Sequence, residues 1–312
     1  MIQLKIGKDE AEQRIDKFLR KHLRKSSLAQ IYKLLRTGKI KVNGKKAKPD
    51  YDIKLNDEIK IYLNEEEYKD LVSEEPKKFN LSKVNFKVLY EDDDLLVVDK
   101  PSGISMHEGS GITSHTLKDE LLFYLKFEKK LSFKPSFVNR LDKGTSGIVI
   151  AGKTFEALRK LNEMIANGEI RKSYLTLVKG KPTLEGTISK KLLRTKMHHE
   201  VKVLISDEGK ESITKYKVIK QIKDIALIET EILTGRTHQI RVHMASIGHP
   251  VIGDEVYGDE KINEEFRKNF NLRRQFLHSY KVSFKHPITG KKIEVVSKLP
   301  KDLDFVLNKL DQ

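Results

Sequence analysis

The segment Asn139-Arg140-Leu141-Asp142-Lys143-Gly144-Thr145-Ser146-Gly147 places one carboxylate in a polar run between Val138 and the apolar Ile148-Val149-Ile150-Ala151. Asp142 has Arg140 and Lys143 close in sequence, and cationic neighbours favour the ionised carboxylate that a nucleophile requires. Taken alone, such an Asp more often serves to order a glycine turn. A second segment tips the balance toward chemistry: Thr234-Gly235-Arg236-Thr237-His238-Gln239-Ile240-Arg241-Val242-His243. It crowds charged and hydrogen-bonding side chains into the start of a helix, a place where a core-packing segment would be plain.

Other chemistries fit the residues poorly. Gly147-Ile148-Val149-Ile150-Ala151-Gly152-Lys153-Thr154 matches the phosphate-loop pattern letter for letter. A loop that cradles phosphate must turn tightly after a strand so that its N–H groups converge, but Ile-Val-Ile-Ala reads as the strand itself. The ten histidines include His198-His199 and His238/His243, without metal-ligand spacing. There is no G-x-S-x-G, and no third glycine follows Gly109 and Gly111 as a dinucleotide fold requires. No cofactor and no metal are expected.

The elements that must carry these segments follow from periodicity. Strands are expected at Phe86–Tyr90, Leu95–Val98, Gly147–Ala151, Ser173–Val178, Ser212–Ile219, Ile225–Leu233 and Lys281–Phe284. Helices are expected at Thr154–Ala166, stopped by Asn167-Gly168, and at Thr237–Ile247, stopped by Gly248. Strands and helices do not alternate strictly, so the fold class is α+β around a mixed, mostly antiparallel sheet.

Upstream, the chain changes character. Arg14–Leu23 puts Ile15, Phe18, Leu19 and Leu23 on one helical face. Ser26 or Ser27 can cap a second helix carrying Leu28, Ile31, Tyr32 and Leu35 and ending at Gly38. Lys39–Lys45 alternates and enters an Asn43-Gly44 hairpin turn. Two helices and a hairpin would gather Arg36, Lys39, Lys41 and Lys45, with Arg14 at the head of the first helix. Residues 64–82, acidic and polar with Pro76, read as a linker. The expected division is a basic module over 1–63, a linker over 64–82 and a main domain over 83–312.

Composition agrees. The 312 residues carry 61 Lys and Arg against 45 Asp and Glu, a net charge of +16. Residues 1–62 hold 17 Lys and Arg against 8 Asp and Glu, more than half of the surplus in a fifth of the chain. A charge so concentrated points to a polyanion-binding segment, most simply RNA or DNA. The absence of cysteine excludes disulfides, thiol catalysis and iron–sulfur clusters. Apolar runs are far short of the ~18 residues of a membrane span, and the first ten residues lack a secretory pattern. A cytoplasmic protein without a membrane partner, working as a monomer, is expected.

The N-terminal arrangement, with Arg14-Ile15-Asp16 at its head and Val42-Asn43-Gly44 near its hairpin, resembles the S-four RNA-binding module of a small-subunit ribosomal protein. The Asp142 loop resembles the H-R-L-D-x-x-T-S-G motif of the RluA/RluD family of RNA pseudouridine synthases. Arg236–Arg241 resembles that family's G-R-T-H-Q-I-R signature, and Tyr90–Gly103 its opening strand and K-P-x-G turn. Lys172-Ser173-Tyr174-Leu175 is similar to its K-x-Y-L strand, and Leu277-His278 with His286-Pro287 to its C-terminal strand pair. The likeness runs from about residue 12 to 300, with the motifs in order. Lys48-Pro49-Asp50-Tyr51 and His107-Glu108-Gly109-Ser110-Gly111 resemble the RluC type, which acts on large-subunit ribosomal RNA.

The resemblance implies a cofactor-independent enzyme that detaches, rotates and rejoins a uracil through carbon five. Asp142 would attack the nucleotide or abstract its proton, and Arg236 would pair with Asp142. Tyr174 would stack on the base and could also take the carbon-five proton, and Arg140 would fill the gap left by a flipped base. The RNA-binding residues are then Arg140, Arg14, Arg36, Lys39, Lys41 and Lys45. A non-catalytic ribosome-binding or assembly factor on the same scaffold is the alternative, and it has no chemical need for Asp142, Tyr174 and Arg236 together. The chain departs from the motif at Asn139, where the family has His, and at Lys143-Gly144.

Overall fold

A computed structural model describes residues 1–72, 81–107, 115–126, 133–197 and 200–312. Pro76, the Glu108–Gly111 stretch and His198-His199 lie outside the described residues.

The N-terminal unit runs β1 (Ile2–Lys5), β2 (Gln13–Arg14), α1 (Ile15–His22), α2 (Leu28–Arg36), β3 (Ile40–Val42), β4 (Lys45–Lys46), β5 (Asp52–Ile53), β6 (Glu58–Ile61) and α3 (Glu65–Leu71). Ile15, Phe18, Leu19 and Leu23 are fully buried, as their spacing predicts, against Ile31 and Leu35 of α2. Ser27 caps α2 by accepting from the Gln30 N–H at 3.2 Å. Leu28 and Tyr32 are exposed, contrary to expectation, and Leu34 takes the buried position beside Leu35. Asn43 and Gly44 both have positive φ, 49° and 79°, the two-residue turn that suits the twist of a hairpin. The sheet order is β1-β6-β3-β4.

The acidic run expected as linker begins instead with a helix. Asn64 Oδ1 accepts from Glu67 N at 2.7 Å while Glu67 Oε2 accepts from Asn64 N at 3.0 Å, a reciprocal cap. Glu65, Glu66 and Glu67 sit in the first turn, where the helix dipole favours negative charge. Tyr68, Leu71 and Val72 pack on the N-terminal core, so that unit reaches at least Val72.

The main unit continues with β7 (Lys87–Glu91), β8 (Leu95–Lys100), α4 (Leu117–Tyr124), β9 (Ser136–Phe137), β10 (Ser146–Gly152), α5 (Phe155–Ala166), β11 (Arg171–Lys179), β12 (Glu185–Met197), β13 (Glu200–Ile205), β14 (Lys210–Ile222), β15 (Ile225–Ile232), α6 (Gln239–Ala245), α7 (Glu260–Phe270), β16 (Leu277–Lys285), β17 (Lys292–Val296) and α8 (Lys301–Leu310). Its strands form one sheet in the order β13-β12-β14-β15-β11-β16-β10-β8-β7, with β17 beside β16 and β9 beside β10. Every pairing is antiparallel except β10 with β16. The mixed, mostly antiparallel α+β architecture is as the patterning predicts.

Strand β10 is buried along its whole length, because both faces of the sheet are covered there. Val149 and Ala151 face one core with Leu117, Leu121, Ile240 and Met244, while Ile148 and Ile150 face the other with Ala157 and Leu161 of α5. The Gly-x-x-x-x-Gly run is therefore a strand, not a phosphate-cradling loop, and Lys153 Nζ is engaged by Glu91 Oε1 at 2.8 Å. Gly147 has φ 115°, and a Cβ on it would lie 2.2 Å from the Ser279 carbonyl oxygen. Only glycine lets β10 and β16 approach there. Periodicity missed α4, β9, the long β12–β13 hairpin, α7, β17 and α8 of this unit, and β1, β5 and β6 of the N-terminal one.

Candidate active site

The Asp142 loop leaves β9 and enters β10, and it is fastened at five residues. Asn139 spans the gap to β10, donating from Nδ2 to Ile148 O (3.2 Å) and accepting at Oδ1 from Ile150 N (2.8 Å). Leu141 is buried in the central core. The Lys143 carbonyl accepts from Gly103 N at 2.7 Å and from Lys100 Nζ at 3.3 Å. The Gly144 carbonyl accepts from Arg274 Nη1 at 3.0 Å, and Thr145 Oγ1 from Gln275 Nε2 at 3.1 Å. Lys100 is 0% exposed and also donates to the carbonyls of Pro101 and Ile104, each at 3.0 Å. Burial pushes its pKa down to about 7, against the opposing field of Asp142. Its part in the K-P-x-G turn is to fasten that turn to the Asp142 loop.

Helix α6 presents the second segment. Gln239 organises its start: Oε1 accepts from Thr234 Oγ1 (2.8 Å) and Arg236 N (3.0 Å), and Nε2 donates to Ile213 O (2.9 Å) and Thr214 Oγ1 (3.0 Å). One turn on, His243 is fully buried between Ser212 Oγ and Thr214 Oγ1, at 3.0 and 2.9 Å. Burial drives its pKa down to about 4, so its ring is neutral and structural. Gln239 and His243 thus pin α6 to β14.

The cation on Asp142 is Arg241 and not Arg236. Arg241 is 6% exposed and donates from Nη1 to Asp142 Oδ2 at 3.0 Å. Its other face grips Asp254 (1% exposed) through Nε (2.7 Å to Oδ2) and Nη2 (2.8 Å to Oδ1). Burial opposes its charge, but the hydrogen bonds and fields of Asp254 and Asp142 outweigh that, so its pKa lies above the usual arginine value. Burial likewise works against the Asp254 carboxylate, yet Arg241 and the N–H groups of Val256 and Tyr257 hold its pKa low. Arg236, expected to make this pair, precedes the helix, is exposed, and donates from Nε to the Glu211 carbonyl at 3.1 Å. It still lines the cleft.

The cleft over Asp142 has a volume of about 310 Å³ and is walled by Arg140, Tyr174, His238, Ile240 and Leu277. That is the scale of a small-ligand site. Tyr174 comes from β11, where the register against β16 shifts between Ser173 and Tyr174. Such an irregularity re-aims a side chain, and here it places Tyr174 in the cleft wall. The ring is 4% exposed, and burial raises its phenol pKa well above the ordinary value. Arg140 is exposed at the cleft.

The structure therefore brings Asp142, Tyr174, Arg140 and Arg236 to one cleft. In the N-terminal unit, Arg14 donates to both oxygens of Asp16, at 3.1 and 2.7 Å, beside the Tyr32 hydroxyl. Arg36, Lys39 and Lys45 are exposed, and Lys41 Nζ lies 5.3 Å over the Tyr62 ring. Sequence reasoning missed Arg241, Asp254, Lys100 and His238. One signal for Arg241 was available: it stands three residues before the apolar Met244, on the face of α6 that packs inward.

Comparison with known proteins adds two matching family models: RNA pseudouridylate synthase over residues 94–246 and the S4 domain over residues 13–59. The chain is 36% identical over 310 residues to the ribosomal large subunit pseudouridine synthase C of Buchnera aphidicola subsp. Schizaphis graminum, covering 98% of this chain and 96% of that one. It is 35% identical over 311 residues to the Escherichia coli K12 protein of the same name, covering 98% and 95%. Among solved structures, human RNA pseudouridylate synthase domain containing 4 superposes with a TM-score of 0.59 at 21% identity, over 72% of this chain and 92% of that one. The human domain containing 1 protein gives a TM-score of 0.55 at 24% identity, over 73% and 95%.

Proposed function

The chain belongs to the RNA pseudouridylate synthase family, and from that premise we propose that it isomerises uridines of large-subunit ribosomal RNA with Asp142 as the catalytic carboxylate. The observation that carries the assignment of Asp142 is its place in the cleft, on a loop fastened at five residues, with Arg241 bonded to one of its oxygens. A binding surface needs no such fixation of one carboxylate.

In the reaction the bond from N1 of uracil to C1′ of ribose breaks, the base turns, C5 bonds to C1′ as its proton leaves, and N1 ends the reaction carrying a proton. No atom is gained or lost. Asp142 attacks the nucleotide or abstracts its proton, and Arg241 keeps one carboxylate oxygen in place so that the other faces the cleft. Tyr174, with its ring buried in the cleft wall, stacks on the base. Arg140 at the cleft mouth fills the space that a flipped base vacates.

The basic N-terminal module, which extends through α3 to at least Val72, supplies affinity for the phosphate backbone through Arg14, Arg36, Lys39, Lys41 and Lys45, ahead of a catalytic domain over 83–312. No helix among the described residues is long and apolar enough to cross a membrane. The reading places the enzyme with the ribosome in the cytoplasm, acting as a monomer. Reverse-transcription mapping of pseudouridine in ribosomal RNA from cells with and without the gene tests it. Sites in large-subunit RNA vanish without the gene and return with the wild-type chain but not with Asp142→Asn; an unchanged map contradicts the proposal.

A further inference from the structure

His238 stands between the reacting carboxylate and a fixed hydroxyl. It is the residue immediately before α6 and holds a left-handed backbone conformation, φ 53°. That conformation turns the imidazole away from the helix and into the cleft. Its Nδ1 lies 2.9 Å from the Tyr257 hydroxyl, and its Nε2 lies 3.9 Å from Asp142 Oδ2.

The proton positions follow from counting donors. The Tyr257 oxygen accepts from the backbone N–H of Val203 in β13 at 2.8 Å. One lone pair is thereby used, and the hydroxyl hydrogen needs an acceptor. Among the described residues, His238 Nδ1 is the acceptor in reach. With Nδ1 accepting, the neutral ring carries its proton on Nε2. The charged groups facing the ring are Asp142, Arg241, Asp254 and Arg140, and burial, the largest influence, lowers its pKa and so favours the neutral form. At 3.9 Å the Nε2–H is too far from Asp142 to bond it, and that oxygen is already held by Arg241. The donor is thus fixed in direction, points into the cleft beside Asp142, and has no partner within bonding distance there among the described residues.

We propose that His238 is a substrate-positioning residue whose Nε2–H donates to an acceptor oxygen of the target nucleotide, with its tautomer set by Tyr257. This deepens the function proposed above and rests on it. Tyr257 takes its own orientation from Val203 in the β12–β13 hairpin, so the hairpin and the donor are linked by two hydrogen bonds.

Two measurements on the full-length protein test it. The first needs no substrate: ¹⁵N NMR of the histidine rings in the free protein. The expected His238 pattern is a protonated Nε2 and a bare Nδ1, and Tyr257→Phe, which removes the donor, shifts it toward a mixture. A protonated Nδ1 in the wild type overturns the proposal even if the enzyme acts on ribosomal RNA as described. The second is single-turnover kinetics on a ribosomal RNA fragment for His238→Asn and His238→Gln. Asparagine tolerates the left-handed backbone but its amide stops at the place of Nδ1, whereas the longer glutamine amide reaches the place of Nε2. One lost donor to a developing or buried acceptor is worth about 10- to 100-fold. His238→Asn is therefore expected to fall by about that factor, and His238→Gln to recover at least about tenfold of it. Equal rates for wild type and His238→Asn overturn the proposal. Failure of every variant and of wild type to form pseudouridine refutes the function instead, and the tautomer then stands or falls alone.

Discussion

At the scale of single residues, the site is one arginine shared by two carboxylates. Asp254 takes Nε and Nη2 of Arg241 and Nη1 bonds Asp142, so the guanidinium acts as a fixed fork that a lysine cannot reproduce. Arg241→Lys is expected to lower the single-turnover rate by at least about 100-fold, or ~2.7 kcal/mol, whereas Arg236→Lys changes it by less than about tenfold. Comparable losses would show that Arg236 leaves its carbonyl partner for Asp142 on RNA binding. Asp254→Asn removes the more deeply buried of the two counter-charges of Arg241, which costs about 3–5 kcal/mol in urea unfolding. Asn139 uses both ends of its amide on strand β10, and neutral imidazole also offers one donor and one acceptor. Asn139→His should therefore alter the rate by less than about tenfold and add no ionisation near pH 6.5. A large gain with histidine would contradict the structural role. Asp142 and Tyr174 were legible from their motifs, but Arg241 was not separable from Arg236. Its partner Asp254 lies 13 residues away, and the choice depends on where α6 begins.

At the scale of elements, polar pins do work that periodicity does not reveal. The expected helix over Thr237–Ile247 is in fact Gln239–Ala245, because His238 in the left-handed region ends the preceding loop and the Gln239 side chain ties off the N-terminus. Strands at Leu95, Gly147, Ser173 and Ile225 were legible from continuous or alternating apolar residues. The β12–β13 hairpin was not, since lysines and arginines such as Lys190, Lys191 and Arg194 interrupt its alternation. Two of the pins are buried neutral histidines. His243 joins α6 to β14, and His278 of β16 meets Ser146 Oγ of β10 at 3.0 Å. Burial lowers both pKa values to about 4, against an ordinary ~6.5 in the unfolded chain. Because the folded pKa is the lower one, the unfolded state binds more protons between these values. Stability is then full above about pH 6.5 and falls as pH drops toward 4, by up to about 1.4 kcal/mol per pH unit for each histidine. Urea unfolding at pH 7 and pH 5 measures it, and equal stabilities would mean that these rings are protonated in the fold.

At the scale of the whole molecule, charge is divided unequally between two units of the fold. The N-terminal surplus was legible as a count, and its helix–helix–hairpin order as periodicity. The extent of that unit was not, because α3 looks like a polar linker until its reciprocal cap and its packing through Tyr68 and Leu71 are seen. A chain beginning at Lys83 is expected to bind ribosomal RNA more weakly and with a shallower slope of log affinity against log salt, since fewer phosphate contacts release fewer counterions. An unchanged slope would show that Arg14, Arg36, Lys39, Lys41 and Lys45 do not touch RNA.

The central claim is that the Asp142 carboxylate performs the isomerisation. Large-subunit ribosomal RNA labelled with tritium at carbon five of uridine reports it directly, because the label is released to water only when C5 bonds to ribose. Asp142→Asn nearly conserves the side-chain volume, so the variant should bind this RNA with wild-type affinity and release no tritium above the protein-free control. Appreciable release by Asp142→Asn would contradict the account.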